Sequence, residues 1–182
     1  MLFFVSDLLQ YRYYSVSCLS DERSSMSSNT DNNDVLEENK KVVEKFIELT
    51  WNQGRFNLAR SLVRRDFKYH ASLLNQTFEY EAATQIIQYV RGSMDDFEVM
   101  IEDVIAEGDR VVTQSSFCGT LVKPLFGFKP NPNVVTFAAV SFWTIKKGQI
   151  QHSNTLLDTA ELMRQMHSDG KHLDLTELEA NY

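Results

Sequence analysis

The segment from Ala106 to Met166 constrains the fold most, because it contains three strand-like stretches followed by a short helix. The first stretch, AEGDRVVTQSSFCGTL, opens at a Gly-Asp turn, and the loop VKPLFGFKPNPN separates it from the second, VVTFAAVSFWTIKK. A Gly turn leads to the third stretch, GQIQHSNTLL, and Asp158 opens the helical DTAELMRQM. An antiparallel meander of this kind needs other elements to cover one of its faces.

Hydrophobic spacing upstream predicts the elements that cover this sheet. Apolar residues at helical spacing or in alternation predict helices over 35–52, 56–63 and 81–91 and strands over 66–72 and 97–106. Gly54 follows the first helix as a C-terminal glycine does, and Gly92-Ser93 ends the third. Because helices precede a run of consecutive strands, we predict the α+β class rather than α/β.

The chain divides into one domain and two tails. Residues 20–34, SDERSSMSSNTDNND, are nearly free of apolar groups, so they cannot bury enough surface to offset the entropy of ordering. We therefore predict a disordered N-terminal tail over 1–34, a folded domain over 35–166 and a polar C-terminal tail over 167–182. A length of 182 residues suits one domain with tails.

Charge and cysteine content argue against several classes of partner. The formal net charge is −7 and no basic run is present, so we expect neither nucleic acid nor an anionic membrane surface as a partner. No stretch approaches the length of a membrane span. Cys18 and Cys118 make no disulfide framework, and we predict a cytoplasmic location. An organelle-targeting N-terminus is the alternative, although Asp7 interrupts its short apolar run.

Polar residues on the last predicted strand are candidate ligand contacts. In regular alternation His152 and Asn154 share a face with Ile150 and Leu156. Polar groups between apolar ones on one face are typical of a pocket wall with a few directed hydrogen bonds. A neutral His152 would position a carbonyl group or relay a proton. A partly exposed edge of the sheet is the alternative.

Two neighbouring strands carry a second group of candidates. Gln114, Ser116 and Cys118 share one face of the first strand, and Ser141 and Trp143 share one face of the next. Small polar groups beside an aromatic ring suit a pocket for a flat ligand, but they also suit ordinary filling between packed layers. We expect Cys118 to be a small buried residue rather than a nucleophile.

The strand Val134–Ile145 is apolar at both odd and even positions, which is typical of a strand covered on both faces. The helices would cover one face, and a second subunit would cover the other. This pattern predicts a homodimer through the outer sheet face. Trp51, at the end of the first helix, is either part of the core or a ligand contact.

The order and spacing of these segments resemble the SnoaL-like polyketide cyclases and ester cyclases, within the cone-shaped superfamily named after nuclear transport factor two. The resemblance covers about residues 39–166 and rests on NKKVVEKFIELTWNQGRFNLARSLVRRDFKYH, AEGDRVVTQSSFCGTL, FGFKPNPNVVTFAAVSFWTIKKGQI and LLDTAELMRQM. It implies a cone-shaped barrel whose curved antiparallel or mixed sheet wraps around N-terminal helices. The superfamily hosts cyclases, isomerases, dehydratases and members that only bind ligands.

The resemblance also implies roles for individual residues. The antibiotic-pathway cyclases carry an Asp near the position of Asp158 that acts as acid and base in an aldol closure. The sequence Asp158-Thr159-Ala160-Glu161 equally matches a capping box, which gives Asp158 a structural role. The family often directs a His into the cavity at the position of His70, for which a structural His bonded to the backbone is the alternative. The Gln and His partners of those cyclases fall near Phe142 and Thr144 here, which weakens the aldol mechanism.

We therefore predict a SnoaL-like domain that binds a small apolar or aromatic molecule. The first hypothesis is a cofactor-independent cyclase, isomerase or lyase that acts on a carbonyl-containing substrate through Asp158 and His152. The alternative is a non-catalytic ligand-binding or dimerisation module with a pocket filled by its own side chains, such as Phe126, Phe128, Phe142 and Trp143. The four histidines lack the spacing of metal ligands, so we expect no metal site.

Overall fold

The computed structural model describes residues 18–130 and 132–167, with the backbone alone for 18–31 and 167. A π-helical turn, Glu48–Asn52, extends the first helix, and a 3-10 turn, Arg60–Leu62, follows the second. The helices are α1 (Cys18–Ile47), α2 (Phe56–Ala59), α3 (Tyr80–Ser93) and α4 (Thr159–His167), and the strands are β1 (Val63–Ala71), β2 (Gln76–Phe78), β3 (Met94–Glu107), β4 (Arg110–Leu121), β5 (Val134–Lys146) and β6 (Gln149–Leu157).

Helix α1 begins well before its predicted start at Val35. Its last turns pack into the core through Val43, Phe46 and Ile47, whereas residues 32–35 are exposed. The part of the chain over 20–34, for which composition predicts disorder, is helical in the structure. A helix that is already nucleated by a packed end gains a hydrogen bond with each further residue, which composition does not reveal. Residues 1–17 and 168–182 lie outside the described part, so the domain limits remain a prediction.

The strands form one six-stranded sheet in the order β2-β1-β6-β5-β4-β3. Neighbouring strands are antiparallel except for β1 and β6, which pair in parallel. The predicted α+β class with a curved mixed sheet around N-terminal helices is thereby confirmed. Strand β2 is absent from the prediction because three residues, Gln76–Phe78, are too short to show alternation. Helix α3 runs through Gly92 to Ser93, so the predicted stop lies one to two residues early.

Strand β5 has one covered and one open face within the described part of the chain. Its odd-numbered residues point into the core, where Val135, Phe137 and Trp143 are buried. Phe46 of α1 packs edge-on against Trp143 with ring centroids 5.7 Å apart. The even-numbered side chains lie on the outer face, where Val134 is 64% exposed. Residues 18–130 and 132–167 therefore cover only the inner of the two apolar faces.

The side-chain amides of Asn52 and Gln165 form hydrogen bonds with backbone groups of β3 and β5 that are not paired with another described strand on that side. Asn52 Nδ2 donates to the Val99 carbonyl oxygen at 3.0 Å, and the Val99 N–H donates to Asn52 Oδ1 at 2.8 Å, on the edge strand β3. Beyond the end of β6, Gln165 Nε2 donates to the Thr136 carbonyl oxygen at 2.7 Å and Oε1 accepts from its N–H at 2.9 Å. These paired hydrogen bonds hold the π-helical turn and α4 against the sheet.

Candidate functional site

A cavity lies between the inner face of the sheet and the helices. Its void is about 790 Å³ when the part open to solvent is counted, and about 80 Å³ of it admits the centre of a water molecule. The wall is formed mostly by aliphatic and aromatic side chains, among them Trp51, Phe117, Leu121, Val135, Phe137 and Leu157. Side chains of the loop after β4 and of α4 complete it, including Phe126, Phe128, Leu162 and Met166. The space is therefore suited to an apolar molecule.

A second cavity, with a void of about 430 Å³ on the same measure, lies beside the first and is lined by Phe46 and Ile47 of α1. Trp51, Tyr69, Phe117 and Thr155 line both cavities, so they form the boundary between them. Trp51 is fixed at this boundary through its backbone. Arg91 donates from Nη1 to the carbonyl oxygen of Trp51 and, at 2.6 Å, to that of Asn52. The ring of Trp51 meets that of Phe117 edge-on, with centroids 5.1 Å apart.

Three hydroxyl-bearing residues, Ser141, Thr155 and Tyr69, lie at this boundary. Ser141 Oγ and Thr155 Oγ1 are 2.8 Å apart and share a hydrogen bond in which either can donate. Burial raises the pKa of Tyr69, and the Thr155 side chain opposes that rise. Tyr69 is therefore a neutral phenol at physiological pH and acts as a donor and acceptor of hydrogen bonds.

The lining carries no ionisable acid or base of the ordinary catalytic kinds. Among the described residues that line either cavity there is no Asp, Glu, His, Lys or Arg. The polar atoms come from hydroxyl groups and from the Trp51 and Trp143 rings. Trp143 Nε1 is occupied, because it donates to Thr113 Oγ1 at 3.0 Å. A buried charge without a partner is costly, so this interior favours neutral molecules.

Asp158 caps helix α4 instead of lining the cavity. Its Oδ1 accepts a hydrogen bond from the Glu161 N–H at 2.9 Å, and the side chain is exposed. Only this half of the predicted capping box forms. The Asp158 N–H donates to the Ala138 carbonyl oxygen at 2.9 Å, and the Glu161 carboxylate binds Arg164 and Gln165. The capping alternative thus describes the observed contact, and an inward-facing acid is not observed.

His152 and Asn154 lie on the outer face of the sheet, and the prediction that they share a face with Ile150 is wrong. The pairing of β5 with β6 passes over Gln151, which is a bulged extra residue. One extra residue exchanges the faces of all residues that follow it. Ile150 and Ser153 are consequently both buried inward, which regular alternation cannot produce. No partner is present among the described residues for the buried Oδ1 of Asn154 or Oγ of Ser153.

His70 is on the same outer face as His152. Its neighbour Tyr69 lines the cavity, so His70 points the other way, contrary to what the resemblance implies. His70 Nδ1 is 3.1 Å from Thr77 Oγ1 on β2. Burial lowers the pKa of His152, and the positive charges of Arg110 and His70 lower it further. These residues therefore form a polar group outside the cone.

The other predicted contacts divide between the two faces. Gln114 is exposed and Ser116 half-buried on the outer face, because the inward residues of β4 include the buried Thr113, Ser115 and Phe117. The prediction that Gln114 and Ser116 line the pocket is therefore wrong. Cys118, also on the outer face, accepts a hydrogen bond from Thr136 Oγ1 at 3.4 Å.

Ser141, Trp143 and Trp51 are the predicted contacts that the structure places at the cavities. Sequence reasoning missed Tyr69 and Thr155. Alternation in the strand around Phe67, Tyr69 and Ala71 was a usable signal for Tyr69, because these residues share the inner face. No comparable signal existed for Thr155, since the bulge at Gln151 reverses its direction.

In residues 18–130 and 132–167, no three His, Cys, Asp or Glu side chains are grouped in a way that would hold a metal ion. The same part of the chain contains no helix with the length and apolar character needed to cross a membrane.

Comparison with known proteins identifies the family to which the chain belongs. Residues 41–166 match the family model of the SnoaL-like polyketide cyclases. That match spans well over half of the chain, and the chain belongs to this family. A search of curated proteins finds no match.

Solved structures share the fold. A candidate SnoaL-like polyketide cyclase from Jannaschia sp. CCS1 is 24% identical with a TM-score of 0.64, covering 72% of this chain and 93% of its own. IdmH, a candidate polyketide cyclase from Streptomyces antibioticus, is 17% identical with a TM-score of 0.64, covering 71% and 99%. An LEH-like epoxide hydrolase from M. tuberculosis is 17% identical with a TM-score of 0.56, covering 72% and 90%. At these identities the likeness concerns the fold.

Proposed function

We propose that this SnoaL-like domain binds a small, neutral and largely apolar molecule in the cavity inside its cone. The observation that carries the proposal is the composition of the wall, which is apolar except for a few hydroxyl groups and ring N–H groups and has no charged side chain among its described residues. Burial of apolar surface supplies the affinity, and the scarcity of polar groups limits the ligand to few hydrogen bonds. An ionised ligand would lose hydration without gaining a counter-charge.

A matched pair of probes tests this proposal. The hydrocarbon 2-isopropenylnaphthalene is neutral, and 2-naphthoate has a similar ring with a negative charge. We expect the hydrocarbon to bind measurably in a titration followed by tryptophan fluorescence, and the anion to bind at least about tenfold more weakly. Equal binding of both probes, or no binding of the hydrocarbon, would contradict the proposal.

Adjacent leucines provide the matched variants. Leu157 lines the cavity, whereas Leu156 is on the outer face and 49% exposed. Leu157→Phe adds bulk inside the cavity and is expected to weaken hydrocarbon binding, while Leu156→Phe adds the same bulk outside and should leave it unchanged. The reverse order of effects would place the bound probe on the outer face.

Catalysis is the second candidate function. It is favoured by the family match and by the enzymatic name of a fold neighbour, the LEH-like epoxide hydrolase. A cofactor-independent cyclase, isomerase or lyase would have to move protons with hydroxyl groups, since Asp158 caps α4 and His152 lies outside the cone. If such an activity is found, Asp158→Asn and His152→Gln are expected to retain it. Loss of turnover in either variant, with binding intact, would restore the acid-base hypothesis.

We also propose that two copies associate through the outer sheet face. Apolar side chains are exposed there in neighbouring rows, including Ile105 at 61% and Leu156 at 49%. Arg110 lies at one end of this face opposite Glu107, and Asp95 and Glu98 lie at the other end. A second copy related by a two-fold axis would cover the exposed apolar side chains.

Sedimentation velocity tests the dimer. Ile105→Asp places a charge in the apolar rows and is expected to produce monomers, while Leu58→Asp changes an equally exposed leucine, 57% exposed on α2, and should preserve the dimer. A monomeric wild-type protein at micromolar concentration would contradict the association.

A cytoplasmic location remains part of the proposal because two cysteines make no disulfide framework. Fractionation of cells that express the tagged full chain tests it, and recovery of the protein in an organelle fraction would contradict it.

A further inference from the structure

Of the four described residues that line both cavities, three belong to the sheet and one belongs to the helical side. Tyr69, Phe117 and Thr155 lie on β1, β4 and β6, and their side chains point to the inner face. These three residues therefore form a floor that continues under both cavities. Trp51 comes from the π-helical turn on the opposite side. Its ring is the part of the boundary that stands between the two spaces.

Contacts on the backbone and on the ring hold Trp51 in this position. Arg91 donates to the carbonyl oxygens of Trp51 and Asn52, which fixes the end of the π-helical turn. The Trp51 ring meets that of Phe117 edge-on at 5.1 Å between centroids, and it packs against the ring of Phe97 at 6.1 Å. A rotation of the indole out of the boundary would break both aromatic contacts. The division between the cavities is therefore a built part of the interior.

The space behind Trp51 has a lining that an apolar chain could contact. Ile47, Ile87 and Val99 line the second cavity without lining the first, and the hydroxyl-bearing Ser115 and Ser141 are beside them. None of the described residues around this space is charged. A hydrocarbon chain that reached it would be stabilised by burial in the same way as one in the first cavity. The indole ring is the group that such a chain would meet on its way.

We propose that Trp51 is the specificity-determining residue that confines the ligand to the first cavity. It admits a compact neutral molecule and keeps an unbranched chain out of the second cavity. This inference rests on the proposed function and adds the shape of the ligand to its polarity. A smaller side chain at this position would join the two voids, of about 790 and 430 Å³, into one elongated site.

The test compares ethylbenzene with n-hexylbenzene, which has the same ring and four more methylene groups. Each displaces 2-isopropenylnaphthalene in a competition followed by the fluorescence of that probe, so the signal does not depend on Trp51. We expect Trp51→Ala to raise the ratio of hexylbenzene to ethylbenzene affinity by at least about tenfold over the wild type, because each newly buried methylene gives up to about fourfold. Trp51→Phe keeps more of the aromatic bulk and should raise the ratio less. It also decides the question if Trp51→Ala fails to fold.

Nuclear Overhauser effects locate the end of the bound chain. In Trp51→Ala the terminal methyl group of hexylbenzene should contact the methyl groups of Ile87 and Val99, whereas in the wild type it should contact neither. Phe142→Ala is the matched control, because it removes an aromatic ring from the outer face of β5, where Phe142 is half-buried and lines neither cavity. Its affinity ratio is expected to equal that of the wild type.

Different outcomes overturn the inference and the proposed function. If hexylbenzene bound to the wild type already contacts Ile87 and Val99, Trp51 does not divide the interior, and the proposed apolar binding function stands. An unchanged affinity ratio in folded Trp51 variants refutes the role of Trp51 in the same way. If neither 2-isopropenylnaphthalene nor the alkylbenzenes bind the wild-type protein, the proposed function fails and this inference fails with it.

Discussion

At the scale of single residues, the cavity contains hydroxyl groups, whereas the sequence predicts the ionisable side chains of Asp158 and His152 there. The Asp158 carboxylate caps the first turn of α4. His70 and His152, the two histidines predicted to contact the ligand, lie outside the cone. The hydroxyl groups of Tyr69, Thr155 and Ser141 are among the polar groups of the interior instead. The chemistry available inside is therefore hydrogen bonding by neutral groups.

Replacing Asp158 tests its role as a cap. Asp158→Ala removes the acceptor of the Glu161 N–H and is expected to lower the free energy of unfolding by about 0.5–2 kcal/mol, while probe affinity stays within about twofold. Urea denaturation and the hydrocarbon titration provide the two measurements. Asp158→Asn keeps a capping oxygen and should recover most of the stability. A large loss of probe affinity in a fully stable Asp158→Asn protein would show that the carboxylate acts on the ligand.

Sequence alternation predicts side-chain direction correctly only as far as the first irregularity in a strand. It places Ser141 and Trp143 on one inner face of β5, where the structure finds them. On β6 it fails for His152 and Asn154, because the bulge at Gln151 depends on pairing with β5, which is a non-local event. The sequence thus predicts the apolar part of the site, but it does not predict that Thr155 is the hydrogen-bond partner of Ser141.

At the scale of secondary-structure elements, order and class are predictable because each long segment carries its own periodicity. The long strands and α3 have the predicted types, with ends displaced by a few residues. The extent of α1, the short β2 and the parallel pairing of β1 with β6 depend on contacts between distant segments. Local patterns contain no information on such contacts.

The link between Asn52 and Val99 provides a prediction at this scale. Asn52→Ala removes both hydrogen bonds from the edge of β3, so we expect the Val99 amide to exchange its hydrogen faster while amides in the central β4 and β5 stay protected. Asn57→Ala, at an exposed position on α2, is the matched control and should leave Val99 unaffected. Unchanged exchange at Val99 in Asn52→Ala would mean that other contacts hold this edge.

At the scale of the whole molecule, the outer sheet face makes stability depend on pH. The folded state lowers the pKa of His152, so the unfolded chain binds a proton more readily near the ordinary histidine pKa of about 6.5. Stability is therefore complete above that pH and declines as the pH falls through it. The carboxylates with lowered pKa, such as Asp66 and Asp109, lose their contributions only at lower pH.

Thermal unfolding between about pH 7.5 and pH 5.5 measures this effect. We expect the midpoint of the wild type to fall across this interval and that of His152→Gln to change less. Arg110→Gln removes a repelling charge, so the pKa of His152, followed by NMR, should rise. Because the proposed dimer would cover this face, the comparison is made at two protein concentrations. An identical slope for wild type and His152→Gln would contradict the assignment to His152.

We expect the ligand to bind inside the cone and not on the outer face of the sheet. Neighbouring residues on opposite faces distinguish the two, since Leu157 and Val135 line the cavity while Leu156 and Val134 lie outside. The most direct measurement is the set of intermolecular nuclear Overhauser effects between 2-isopropenylnaphthalene and these four methyl-bearing side chains in the full-length protein. We expect contacts to Leu157 and Val135 alone. Contacts to Leu156 and Val134 would contradict it.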